Sequence, residues 1–129
     1  GTTDIRVIGP DRFLPDDAER LGVRTSGDIA QGLSDADVVM GLRIQRERID
    51  GDALEGVDDY HQRFGLTAAN LAHAKPDALV MHPGPINRGV EINAEIAYGD
   101  QSVILEQVRN GIAIRMAVMA IIAGNRNAR

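Results

Sequence analysis

Cysteine is absent from this 129-residue chain, which excludes disulfides and thiolate metal sites and makes a reducing, cytoplasmic setting the natural expectation. Aromatic residues are only 3%, too few for a base-stacking surface, and a net charge of −5 removes the basic footprint that nucleic acids or anionic membranes require. The chain therefore calls for no nucleic acid and no membrane. No charged N-terminal region precedes an apolar one, and Arg115 interrupts the C-terminal apolar stretch, so neither a signal peptide nor a spanning helix is read. His61, His73 and His82 are not spaced as a metal set, and neither a GxGxxG fingerprint nor a phosphate-binding P-loop is present. What remains is 43% hydrophobic and 26% charged, enough apolar material in one domain's length to build a core.

Along the chain, short apolar runs alternate with helical patterns. Gly1-Thr2-Thr3 opens without methionine and runs straight into a β-branched strand, Ile5 to Ile8, so the chain reads as part of something longer. Pro15 to Leu21, with acids in its first turn and Gly22 behind it, predicts a short helix. Val23-Arg24-Thr25 gives a second strand, and Ile29, Leu33 and Ala36 carry a helix to about Asp35. Ala36 to Leu42 is a continuous apolar run, as expected of a parallel strand covered on both faces. Charge arrives at its end in Arg43 to Arg48, and the glycine- and acid-rich stretch Asp50 to Asp59 predicts a mobile loop. Thr67 is a plausible N-cap for a helix through Ala74, which Lys75-Pro76-Asp77 breaks before a strand from Ala78 to Met81.

From Asp100 to about Gly124 one long helix carries Ile104, Val108, Ile112, Met116 and Ala120 on a stripe, and past Gly111 it is apolar almost all round. Such a helix is either a central core helix or a packing surface for a piece this chain lacks. The alternation of elements predicts an α/β fold, a parallel sheet flanked by helices, with ligands beyond the carboxyl ends of its strands. Those ends are Gly9-Pro10, Arg43 to Arg48, and His82 to Arg88.

The most informative stretch is MHPGPINRGVEI, Met81 to Ile92. Pro83 and Pro85 lack N–H groups, so the backbone here offers mainly carbonyl acceptors, suited to a ligand rich in N–H. Gly84 permits close approach to the main chain, and Gly84–Pro85 is a candidate cis bond. Arg43 and Gln45, two apart on extended backbone, point the same way and present a fork for a carboxylate beside an amide, while Glu47 can orient Arg43. His82, directly after an apolar strand, reads as a buried, hydrogen-bonded histidine rather than a general base, and Asn87, Arg88 and Glu91 can tie the loop down.

Taken in order, VVMGLRIQRERI, YHQRFGLT, KPDALVMHPGPINRGVEI and QSVILEQVRNGIAIRMAV closely resemble the C-terminal part of aspartate carbamoyltransferase catalytic chains, from about Ile5 to Ile122. The related ornithine enzymes typically carry a cysteine in the loop matching His82 to Pro85, where this chain has none. The resemblance implies the Rossmann-like aspartate-binding domain of the carbamoyltransferase fold, incomplete: residues 1–99 form most of it, without its first strand–helix unit. Residues 100–129 are the C-terminal helix, expected to pack back on an absent carbamoyl-phosphate domain. It also implies transfer of the carbamoyl group of carbamoyl phosphate to the α-amine of L-aspartate, in pyrimidine synthesis, with no cofactor and no metal.

On this resemblance Arg43 clamps an aspartate carboxylate, Gln45 helps place the substrate, and the carbonyls around Pro83, Gly84 and Pro85 receive its N–H groups. Glu47, His82, Arg88 and Glu91 support them. No residue of this segment is assigned a catalytic role, because the family's phosphate-gripping segment and catalytic histidine lie upstream of Gly1. The 129-residue chain alone is accordingly expected to be inactive. A homotrimer is implied, with regulatory or dihydroorotase-type partner chains left open. A second reading also stays open: a non-catalytic carbamoyltransferase-like module for binding or assembly.

Overall fold

Two short parallel strand pairs carry the architecture, the first partly polar (Arg6-Val7-Ile8 with Arg24-Thr25-Ser26) and the second wholly apolar (Val38-Val39-Met40 with Leu79-Val80-Met81). In the computed structural model, which describes residues 4–44 and 57–126, β1 (Arg6–Ile8) pairs with β2 (Arg24–Ser26), setting Arg6 opposite Arg24 and Ile8 opposite Ser26. Asp4 clamps both strands: it accepts hydrogen bonds from Arg6 and from Arg24, and these guanidinium groups hold its carboxyl down at about 2. Two 3-10 turns, Asp11–Phe13 and Ala18–Leu21, fill the crossover, and Gly22 ends the second in the left-handed conformation at φ +70°.

Helix α1 (Ile29–Leu33) is started by Asp28, whose carboxylate accepts from the N–H groups of Ala30 (2.8 Å) and Gln31 (3.1 Å). It lies directly on β1, since a Cβ at Gly32 would fall 2.5 Å from the Ile8 side chain. The second pair joins β3 (Val38–Met40) to β4 (Leu79–Met81), with Val39 opposite Val80. Between them come α2 (Val57–Phe64) and α3 (Ala68–Leu71), the latter capped by Thr67. After β4 follow the loop to Ile92, the single turn α4 (Ala94–Ala97), and α5 (Ile104–Arg126). Leu33, Val39, Leu71, Val80, Ile92 and Ile104 share one core, with Val80 and Ile92 fully enclosed.

The α/β class and the parallel pairing are as the sequence reading has them; several elements differ. Pro15 to Leu21 is not a continuous helix: only Ala18–Leu21 coils, and as a 3-10 turn. The helix expected through Ala74 stops at Leu71. Val57 to Asp59, expected in a loop, start α2, whose Tyr60 and Phe64 rings pack 5.6 Å apart; the rest of that loop from Asp50 lies outside the described residues. The long helix begins at Ile104, not Asp100, because Gln101 to Val103 are drawn alongside β4: Val80 N–H donates to the Gln101 carbonyl (2.8 Å) and Val103 N–H to the Val80 carbonyl (2.9 Å).

β3 is covered on one face only. Strand alternation sends Val39 to the core and leaves Val38 and Met40 each 49% exposed, with Leu79 of β4 beside them, and no described element packs on that face. Of the stripe Ile104, Val108 and Ile112 only the first two meet the rest of the fold, Ile104 in the core and Val108 at Gly84, while Ile112 is exposed; Gln107 beside them accepts from the backbone of β4's end. From Leu105 onward the apolar residues of α5 are exposed, so it is not a central core helix. No helix among the described residues is long and apolar enough to cross a membrane.

Candidate functional site

β4 delivers the proline-rich loop at its carboxyl end, and the loop holds its shape through its own first and last side chains. Gly84–Pro85 is cis, and Gly84 has φ +71°, a conformation open to glycine at little cost. Pro83 and Pro85 are exposed, whereas Gly84 lies against α5, where a Cβ would meet Val108 at 3.5 Å.

His82 is completely buried. Its backbone N–H donates to Gln107 Oε1 of α5 (2.8 Å), and its ring Nδ1 accepts from Gly84 N–H (2.9 Å). A ring nitrogen that accepts carries no proton, so the neutral ring bears its hydrogen on Nε2. That nitrogen faces the carboxylate of Glu91, 3.5 Å away and 2% exposed. Burial pushes the imidazole below its ordinary value of 6.5, and the nearby Glu91 carboxylate opposes this. Glu91 Oε1 also accepts a short hydrogen bond from Asn87 N–H, while Oε2 has no hydrogen-bond partner among the described residues. The far end of the loop is pinned by α2, where His61 Nδ1–H donates to the Val90 carbonyl (2.9 Å), and by Leu66, paired with Ile92. Burial, then the Glu91 charge, raises Tyr60 above the usual phenol value, so the carboxylate's field reaches α2.

The second strand end meets this loop. Asn87 Nδ2 donates to the Ile44 carbonyl (3.1 Å), which sets half-buried Arg43, one residue earlier, beside the loop that carries Pro83 to Pro85. Arg43, Pro83, Gly84, Pro85, His82 and Glu91 thus belong to one connected region, while Gln45 and Glu47 lie outside the described residues. Arg88 is exposed and its guanidinium makes no hydrogen bond to described residues; its backbone pairs with Ile92. A cleft of about 430 Å³ opens at the third strand end, lined by Pro10, Asp11, Gly27, Tyr60, Arg63 and others, and none of the loop residues lines it. Among the described residues no three His, Asp or Glu stand together as a metal site. The sequence reading did not single out Gln107 or His61; Gln107 alone left a trace, a polar residue one turn beyond buried Ile104.

Parallel strands feeding an arginine and a carbonyl-rich loop at their carboxyl ends define an α/β ligand-binding domain. The family model for the aspartate/ornithine carbamoyltransferase Asp/Orn-binding domain matches residues 3–122, and the chain belongs to that family. Among solved structures, ornithine carbamoyltransferase from Pyrococcus furiosus is 25% identical with a TM-score of 0.74, the match covering 91% of this chain and 41% of that one. Aspartate transcarbamoylase from Trypanosoma cruzi, in complex with N-(phosphonacetyl)-L-aspartic acid, is also 25% identical, with a TM-score of 0.71, covering 88% and 38%. Ornithine carbamoyltransferase from Gloeobacter violaceus is 26% identical, with a TM-score of 0.64, covering 83% and 38%. The chain therefore spans well under half the length of these enzymes.

Proposed function

We propose that this chain supplies the amino-acid half-site of an aspartate carbamoyltransferase. The observation that supports the reading is the Asn87–Ile44 hydrogen bond, which ties the Arg43–Ile44 segment to the loop that carries Pro83 to Pro85. A guanidinium there attracts the second carboxylate of aspartate and repels the side-chain ammonium of ornithine. Gln45 and Glu47 act with Arg43, and His82, Arg88 and Glu91 support the loop. The aspartate amine, as neutral NH2, attacks the carbamoyl carbon of carbamoyl phosphate; a C–N bond forms, the C–O bond to phosphate breaks, and phosphate leaves with the electron pair and takes up the proton that the amine nitrogen gives up. The product is N-carbamoyl-L-aspartate, as used in pyrimidine synthesis. Loop carbonyls that accept the N–H groups of both substrates orient the amine for attack, so catalysis from this side is positioning.

The phosphate-binding half is supplied by a carbamoyl-phosphate domain outside this chain, against which α5 packs. Exposure of that helix from Leu105 onward favours such packing, in a division at residues 1–99 and 100–129. Residues 1–129 alone are then inactive, and the working form is a cytoplasmic homotrimer.

The test is binding of L-aspartate and of N-(phosphonacetyl)-L-aspartate to the full-length polypeptide and its Arg43→Ala variant. The expected loss is more than roughly 2 kcal/mol, the cost of removing one partner of a buried charge pair. Unchanged binding would remove Arg43 from the site, and a preference for ornithine would reassign the substrate. Full binding without any turnover would favour the non-catalytic module.

A further inference from the structure

We infer that Asn87 is a positioning residue that sets the amino-acid clamp at Arg43 against the carbonyl loop; this rests on the aspartate reading above. Asn87 uses both of its donors on different partners. Its backbone N–H goes to buried Glu91, inside the loop, and its side-chain Nδ2 goes to the Ile44 carbonyl (3.1 Å), outside it. The loop has further anchors of its own: Gly84 N–H to His82 Nδ1, His82 N–H to Gln107, and His61 to Val90. Among the described residues, Asn87 Nδ2 makes the one side-chain hydrogen bond that reaches from the loop to the Arg43–Ile44 segment.

The two donors separate two effects. Removing the Asn87 side chain cuts the bridge to Ile44 but leaves the backbone bond to Glu91, so the carbonyl loop keeps its shape while the guanidinium loses its register. Removing the Glu91 acceptor unpins the loop itself. Glu91→Gln keeps a carbonyl oxygen for Asn87 N–H, and Glu91→Leu does not.

Steady-state kinetics of the full-length enzyme with L-aspartate and carbamoyl phosphate, with melting curves alongside, test this. Asn87→Ala is expected to raise KM for aspartate about five- to tenfold, the worth of one hydrogen bond, with KM for carbamoyl phosphate unchanged and the melting curve still a single cooperative transition. Asn87→Asp, which sets a carboxylate against the Ile44 carbonyl, is expected to be worse. Glu91→Leu should raise both KM values, and Glu91→Gln should restore most of that loss. If Asn87→Ala leaves both KM values unchanged, or raises both together, Asn87 does not couple the clamp. Arg43→Ala is the control: no effect there would sink the aspartate reading itself, whereas an effect there with none at Asn87 overturns this inference alone.

Discussion

At the scale of single residues, the His82 ring is the group whose state decides the loop's shape. Gly84 N–H donates to its Nδ1, so a proton added there breaks that hydrogen bond and places a charge in a fully buried site. Burial lowers its folded-state value below 6.5, and the unfolded chain therefore takes up the proton first as pH falls. The stability held by the neutral ring is complete above 6.5 and declines as pH drops through 6.5 toward the folded-state value. Melting temperature should fall in that window, less steeply in His82→Gln; an equal slope in the variant would assign the effect to other groups. The burial of His82 was legible in its place behind an apolar strand. Its tautomer was not, because that depends on the φ of Gly84 and on where Glu91 returns nine residues later.

At the scale of elements, local chemistry and long-range pairing divide the outcome. Helix α1 begins where a side chain satisfies its first free N–H groups, so Asp28→Ala should cost about 1 kcal/mol in chemical denaturation and Asp28→Asn much less. The N-cap at Thr67 and the stop at Gly22 are sequence-local, and the residues announce them; the cap at Asp28 is equally local but came from the structure. The start of α5 is different: helical periodicity begins at Asp100, yet Gln101 to Val103 bond to Val80 and stay extended. Gln107 then joins α5 to β4's end. Gln107→Ala should cost about 1–2 kcal/mol by leaving the His82 N–H without its acceptor, and urea titration would read this directly. No change would mean that water replaces the amide.

At the scale of the whole molecule, apolar surface is the dominant feature. Nine large apolar residues of α5, from Leu105 to Ile122, are exposed, as are Val38, Met40 and Leu79 on the uncovered sheet face. Surface of that kind is stable in water only when something covers it. Residues 1–129 produced alone should therefore self-associate, and light scattering after gel filtration would show species heavier than one chain. A monodisperse monomer that melts cooperatively would contradict this. Inside the shared core Ile92 is fully enclosed, so Ile92→Ala should cost about 2–5 kcal/mol.

The sequence by itself determined the α/β class, the ends of β3 and β4, and a proline-rich loop poor in N–H groups, because strand periodicity, missing N–H groups and glycine's freedom are properties of neighbouring residues. Tertiary structure alone decided that Asn87 reaches Ile44, 43 positions away in the chain, that Gln107 accepts from the backbone at β4's end, and that Glu91 turns inward to meet His82. Each of those contacts joins groups whose separation is set by the packing of β3, β4 and α5, and no local pattern encodes such a distance.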